Sequence, residues 1–389
     1  GEQEQVYEQP TQPSYAQVTS APQVTFPPAA TLTPGPTAKP VTPLPPSGGT
    51  GKNQTWTIMI YADADDSVLE QDIFTDLNEA EKVGSSAQVN IVAQIDRFAG
   101  GYSGDGDWTS TRRYYLTKDS NLSRLNSKMV ADLGEVSMAD PKTLVDFATW
   151  AIKTYPADKY VLILSDHGMG WPGGWTDPQP KNLRSVSVPF AQVVNTNMLY
   201  TGEIDAALQQ IRTQAKIDKF ELVGMDACLM SHLEVYAALA PHARYVVNSQ
   251  ETEPSLGWAY NSFLTALTSN PGMDGGELGK QIVSSFIDKD ERILDRQARL
   301  EFLSQGSPMA SLFGQVSDMD PVQLSRQLSR SITLTPAKMD TFQKLMDSVN
   351  QLAYALQRED QSVVARARTY AQSYTSIFGK NVPPSYIDL

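Results

Sequence analysis

Short apolar runs alternate with longer amphipathic stretches along the chain from Thr55 onward. WTIMIYA (56–62), VNIVAQI (89–95), RRYYLT (112–117), YVLILS (160–165), FELVGM (220–225) and RYVVNS (244–249) read as strands. Several are rich in Val, Ile and Tyr, the pattern of strands buried on both faces. Between them, 67–82, 141–154, 201–216 and 228–239 carry helical periodicity. Asp140-Pro141 supplies a helix start, an acidic cap followed by proline in the first turn. Alternating strands and helices predict an α/β fold, a mostly parallel sheet flanked by helices on both faces.

Helical patterns dominate beyond residue 257, at 258–268, 275–296, 319–331, 336–357 and 360–375. No clear Pro/Gly linker separates them from what precedes. Residues 53–257 therefore read as the α/β unit and 258–389 as a helical subdomain packed on it. SYIDL at 385–389 looks like the start of another strand, which implies a chain cut within that strand. Residues 1–52 have no period and are rich in Pro, Gln, Thr and Ala. Such a segment buries too little apolar surface to offset its ordering entropy, so it is expected to be an extended stalk or pro-segment. Pro/Thr-rich stalks commonly join a surface anchor to an exported domain, which points to a secreted or cell-surface location.

Composition narrows the partners. A net charge of −13 argues against nucleic acid and against an anionic membrane surface. One cysteine among 389 residues excludes an internal disulfide. No apolar run approaches the roughly 18 residues that span a bilayer.

Two strand ends carry the chemistry. VLILSDHG (161–168) and LVGMDAC (222–228) each close an apolar run with a small polar turn, the first holding His167 and the second the single cysteine, Cys228. An open α/β sheet presents its reactive groups at the carboxyl edge of its strands, so the pair suggests a Cys–His hydrolase. The alternative is an inert core cysteine beside a chance histidine. A helix beginning near Cys228 would place the thiol in the positive end of its dipole and lower its pKa. Gly168 leaves the backbone beside His167 open to a substrate. His232 would share a helix face with Cys228 and leave little room for a carbonyl, and His242 reads as a surface residue. One cysteine and three scattered histidines have no zinc-ligand spacing.

At this level of detail the two motifs resemble the clostripain-like cysteine peptidases of the caspase-like clan. WTIMIYADADDSVLE (56–70), HGMGW (167–171), DACLM (226–230) and SQETEPSLGW (249–258) match that pattern more narrowly, and the likeness runs from about Thr55 to about Tyr260. It implies a caspase-like sheet, with Cys228 as nucleophile, His167 as general base and acid, and the N–H groups of Gly168 and Cys228 as an oxyanion hole. It also implies that Asp226 receives a basic substrate side chain, the other reading of that residue being an N-cap for the following helix. Ser249–Trp258 would wall the same pocket, with Ser249 in it, Glu251 and Glu253 either adding negative potential or standing solvated, and Trp258 offering its face to a guanidinium. No cofactor is required for this chemistry. Calcium serves some relatives, and Asp63, Asp65, Asp66, Asp105 and Asp107 cluster, but without the spacing of a helix-loop-helix calcium loop.

The expected activity is cleavage of proteins and peptides after Arg or Lys. The connection at 171–200 is rich in Pro and Gly and holds Lys181 and Arg184, and the resemblance implies maturation by self-cleavage after one of them, the alternative being a surface loop or lid that is never cut. Two other functions share these features: a surface-tethered binding protein on an inactive peptidase fold, and a dedicated processing enzyme or transpeptidase with the same dyad.

Overall fold

In the computed structural model the described residues are 54–106, 108–177, 197–304, 319–330, 332–374 and 386–389. The expected stalk at 1–52, the cleavage candidates Lys181 and Arg184, and Asp107 lie outside them. Five parallel strands form the centre of the sheet: β1 (Trp56–Ala64), β2 (Val89–Arg97), β5 (Lys159–Ser165), β8 (Phe220–Asp226) and β9 (Ala243–Ser249). β3 (Arg112–Tyr115) and β4 (Lys128–Asp132) extend one edge antiparallel, and β10 (Leu334–Lys338) closes the other. Among the described residues the order is β10-β9-β8-β5-β1-β2-β3-β4, a mostly parallel eight-stranded sheet. A separate ribbon pairs β6 (Gly173–Thr176) with β7 (Met198–Tyr200).

Alternation along β1 shows why helices cover both faces. Trp56, Ile58 and Ile60 enter one core with Ile73, Phe74 and Leu77 of α1 (Glu70–Val83), Phe263 and Leu264 of α5 (Tyr260–Ser269) and Ile282 of α6 (Gly275–Ser285). Met59 and Tyr61 enter the opposite core with Leu144 and Phe147 of α2 (Pro141–Thr154), Ile204 and Leu208 of α3 (Thr201–Ala215) and Leu239 of α4 (Leu233–Leu239). Strands buried on both faces account for the near-continuous apolar runs. Asp140 caps α2 as expected, its side chain accepting from the Lys142 N–H, with Pro141 in the first turn.

Three expectations are corrected. The helix expected over 336–357 begins only at Phe342, and β10 precedes it as an edge strand containing Pro336. Proline is tolerated on an edge, where its missing N–H breaks no ladder. The helix expected from residue 228 begins at Leu233, because Leu229 adopts a left-handed φ of 63° and the backbone instead bonds to the end of β9. Leu229 N–H donates to Glu251 O and Ser231 N–H to Ser249 O. Near the chain's end, Ile387 forms an isolated antiparallel bridge with Ser373 rather than entering the sheet.

Candidate active site

β5 and β8 are hydrogen-bonded neighbours whose register pairs Ser165 with Asp226, so the turns that follow them emerge side by side. His167 and Cys228 sit in those turns and line one cleft of about 230 Å³ with Asp76, Asp166, Asp226, Glu253 and Gly257. Gly168 packs so closely on the Cys228 carbonyl that an added Cβ would overlap it. The sequence thus requires glycine after the histidine for contact with the cysteine turn, as well as for access by a substrate. Gly168 also bridges Gly174 through its neighbours: Trp175 N–H donates to His167 O and Met169 N–H to Gly173 O. In that antiparallel arrangement the Gly168 N–H itself points away from the ribbon.

Asp66, in the turn after β1, is named from the sequence only among the clustered acids, and the fold makes it the partner of His167. Its Oδ1 lies 3.4 Å from His167 Nε2 and also accepts from the N–H groups of Val68 and Leu69 at 2.8 Å each. Burial works to raise this carboxyl, but the histidine and the two amides outweigh it and hold Asp66 below the usual range. Burial alone would depress His167, and the bond from Asp66 with the charges of Asp166 and Asp66 reverses that and lifts it to about 9.

Cys228 is half-buried and its Sγ accepts from the Glu253 N–H at 3.3 Å. It does not stand at a helix N-terminus, so the expected dipole assistance is absent. Burial, then the nearby Glu253 and Asp226, push the thiol up to about 12. Without a substrate, the pair at neutral pH is therefore a neutral thiol beside an imidazolium.

Asp226 closes β8 inside the cleft, and its Oδ2 accepts from the Trp258 N–H and the Tyr260 hydroxyl, each at 3.0 Å. It caps no helix. Burial raises it to about 7. The far wall is built by Thr252–Ser255 and Gly257, within the expected segment, but Ser249, Glu251 and Trp258 do not line it. Trp258 is fully buried over Gly224 of β8 and offers no face to the cleft. Ser249 is buried and donates to Glu251 O, and Glu251 is half-buried outside the cleft lining.

The other histidines stand apart. His232 precedes α4 and meets the Tyr386 ring edge-on at 4.2 Å. His242 is buried, with Nε2 on Asp205 at 2.6 Å, and is not the surface residue expected.

Four adjacent parallel strands reach their carboxyl ends in an aspartate. Asp63 of β1 pairs in register with Asp96 of β2, Asp166 follows β5, and Asp226 ends β8. Both oxygens of Asp63, Asp96 Oδ2, Asp166 Oδ1 and Asp177 Oδ1 are buried without a hydrogen-bond partner. Burial foremost, then mutual repulsion, raises Asp63 strongly and lifts Asp65 to about 9 and Asp96 to about 8. Among the described residues no three His, Cys, Asp or Glu side chains converge to hold a metal ion.

The row gives stability a defined pH dependence. These acids bind protons in the folded state that they release near pH 4 when unfolded, so their contribution is largest near the unfolded pKa and is lost up to pH 8–9. His167 acts in the same direction, its contribution present below about 6.5 and lost through about 9. The thermal midpoint is expected to fall steadily from pH 5 to pH 9. A midpoint that rises over that interval would show these carboxyls to be ionised in the fold.

The sequence profile of the clostripain family matches residues 60–382. Clostripain from Hathewaya histolytica is 32% identical over 199 residues, which is 47% of this chain and 36% of that protein's length. Among solved structures, a secreted C11 cysteine protease from Bacteroides thetaiotaomicron in complex with an irreversible peptide inhibitor is 21% identical, over 61% of this chain and 60% of that one, with a TM-score of 0.43. An inactive zymogen C11 protease from Parabacteroides distasonis is 18% identical over the same shares, with a TM-score of 0.44. With most of its length matched, including both strand-end motifs, the chain belongs to the clostripain family.

Proposed function

We propose that the protein is a cysteine endopeptidase that cleaves after Arg or Lys. The observation that carries this reading is the shared cleft, in which the family's cysteine and histidine sit beside a buried aspartate. Cys228 Sγ, its proton passed to a neutral His167, attacks the scissile carbonyl carbon. The oxyanion is received by the N–H groups of Gly168 and Cys228. The C–N bond breaks as His167 returns the proton to the leaving amine, leaving a thioester on Cys228. Water, deprotonated by His167, then releases the acid and restores the thiol. Asp226 is the residue that receives the substrate cation. Kinetics on matched peptides bearing Arg, Lys or norleucine before the scissile bond test this directly. A faster norleucine peptide would overturn the basic specificity.

Maturation by self-cleavage after Lys181 or Arg184 belongs to the same reading. The pairing of β6 with β7 brackets that connection, since Gly173 is in register with Tyr200 and Gly174 with Leu199. Both ends stay anchored, so a cut between them is expected to give two chains that co-elute under native conditions. Intact masses of wild type and Cys228→Ala decide the point: two fragments in wild type alone are expected, and an uncut, fully active wild type refutes it. Residues 1–52 are assigned as a stalk and the location as secreted or cell-surface, on composition alone. No helix among the described residues is long and apolar enough to cross a membrane. No step is routed through calcium.

A further inference from the structure

Asp76 stands on the buried face of α1 and lines the same cleft as Asp226. It is 2% exposed, and its Oδ2 has no hydrogen-bond partner. The residue that presses on that oxygen is Gly257, which holds a φ of 67° and where a Cβ would overlap the carboxylate. The next residue's N–H, that of Trp258, is the donor to Asp226 Oδ2. The two carboxyl groups therefore flank a single peptide unit, one approaching from α1 and the other from β8. Both line the cleft, and they are close enough for the charge of one to act on the other.

The charge balance around Asp76 is unfilled. Arg292 brings one guanidinium to Asp72, Asp76 and Asp290, at 3.4, 3.3 and 2.8 Å, and it also donates to Leu256 O. Glu79 is buried beside the same group and feels its charge. Arg292 thus serves Asp72, Asp76 and Asp290 and, together with Lys82, Glu79, while Asp226 and Glu253 add two more acids at the cleft side. The Arg292 contact uses Asp76 Oδ1 and leaves Oδ2 on the Gly257 side. A buried carboxylate oxygen with no donor is costly unless it is protonated or meets a cation.

We propose that Asp76 is a second specificity residue, forming with Asp226 a two-carboxylate seat for the cationic side chain of the substrate. This rests on the reading of the cleft as a site for Arg or Lys. Two carboxylates from separate elements suit a forked guanidinium better than a point charge, so the seat favours Arg over Lys. Arg292 is the fixed counter-ion that keeps Asp76 in place.

The test compares Asp76→Asn with Asp226→Asn, using kcat/KM for arginyl and norleucyl peptides of otherwise identical sequence. Asparagine keeps an acceptor for Arg292 and so preserves the packing. The Arg-to-norleucine ratio is expected to fall roughly ten- to hundredfold in each variant, the effect of losing a hydrogen bond to a charged group. A ratio that collapses in Asp226→Asn and is unchanged in Asp76→Asn overturns the role of Asp76 while leaving the basic specificity standing. A wild type that does not favour Arg overturns the specificity itself. A second measurement needs no change at Asp76: benzamidine binding to the full-length Cys228→Ala protein at pH 6, followed by calorimetry in buffers of different ionisation heat. Burial raises both acids, Asp226 to about 7 and Asp76 well above the usual carboxylate range, so each is expected to give up a proton to a bound cation. Release approaching two protons per amidine supports the paired seat, and release of one or fewer overturns it.

Discussion

Replacing Cys228 with alanine is expected to abolish turnover of an arginyl peptide, by a factor on the order of ten thousand or more, while leaving the fold in place. The covalent step has no other nucleophile, since this is the chain's single cysteine. The stability cost is small by the same geometry. Cys228 is half-buried, and its one backbone donor, Glu253 N–H, faces a cleft where water can replace the sulfur. A loss of about 1 kcal/mol is the scale of one such bond. His167→Ala is expected to be nearly as damaging and His232→Ala to have little effect, because the His232 ring packs against Tyr386. Hydrolysis rates measured beside thermal midpoints decide the matter. An alanine variant that turns over at the wild-type rate ends the cysteine-peptidase reading.

Asp66→Asn is expected to move the pH profile and lower its plateau together. With His167 at about 9 and Cys228 at about 12, the resting pair at neutral pH carries one proton too many for attack. kcat/KM should therefore climb with pH on a limb near 9, as His167 loses its proton. Asp66 is the main group holding that proton, so its neutral replacement lowers the histidine's affinity and shifts the limb to lower pH. The plateau drops as well, roughly a hundredfold or more, because the imidazolium formed during attack loses its counter-charge and its orienting partner. A profile that keeps its limb in place would show that Asp66 neither orients nor charges the histidine.

The central strands and both reactive residues were legible because each apolar run had to be buried on two faces and ended abruptly in polar residues. Other features depended on contacts between distant parts of the chain. CLMSHLEVYAAL has helical periodicity from its first residue, yet the end of β9 captures the backbone of Leu229 and Ser231 and delays the helix to Leu233. Asp66 is one of three acids in ADADD, and only the turn after β1 decides which of them reaches His167. Nothing local sets Asp76 apart from the other acids of α1, and its partner Arg292 lies 216 positions later. Trp258 reads as a pocket wall because nothing local reveals that Gly224 leaves a space for its ring within the core. In each case the local pattern was sound, and a partner distant in sequence decided the outcome.

The contact between Gly168 and the Cys228 carbonyl binds the two catalytic turns into one mechanical part. A shift in either turn therefore presses on the other, and the thiol that lines the cleft records it. Because no second cysteine competes for label, alkylation by a small neutral reagent reads the surroundings of that one turn alone. Followed during refolding, the same signal would date the moment at which β5 and β8 come into register and the two turns close on each other.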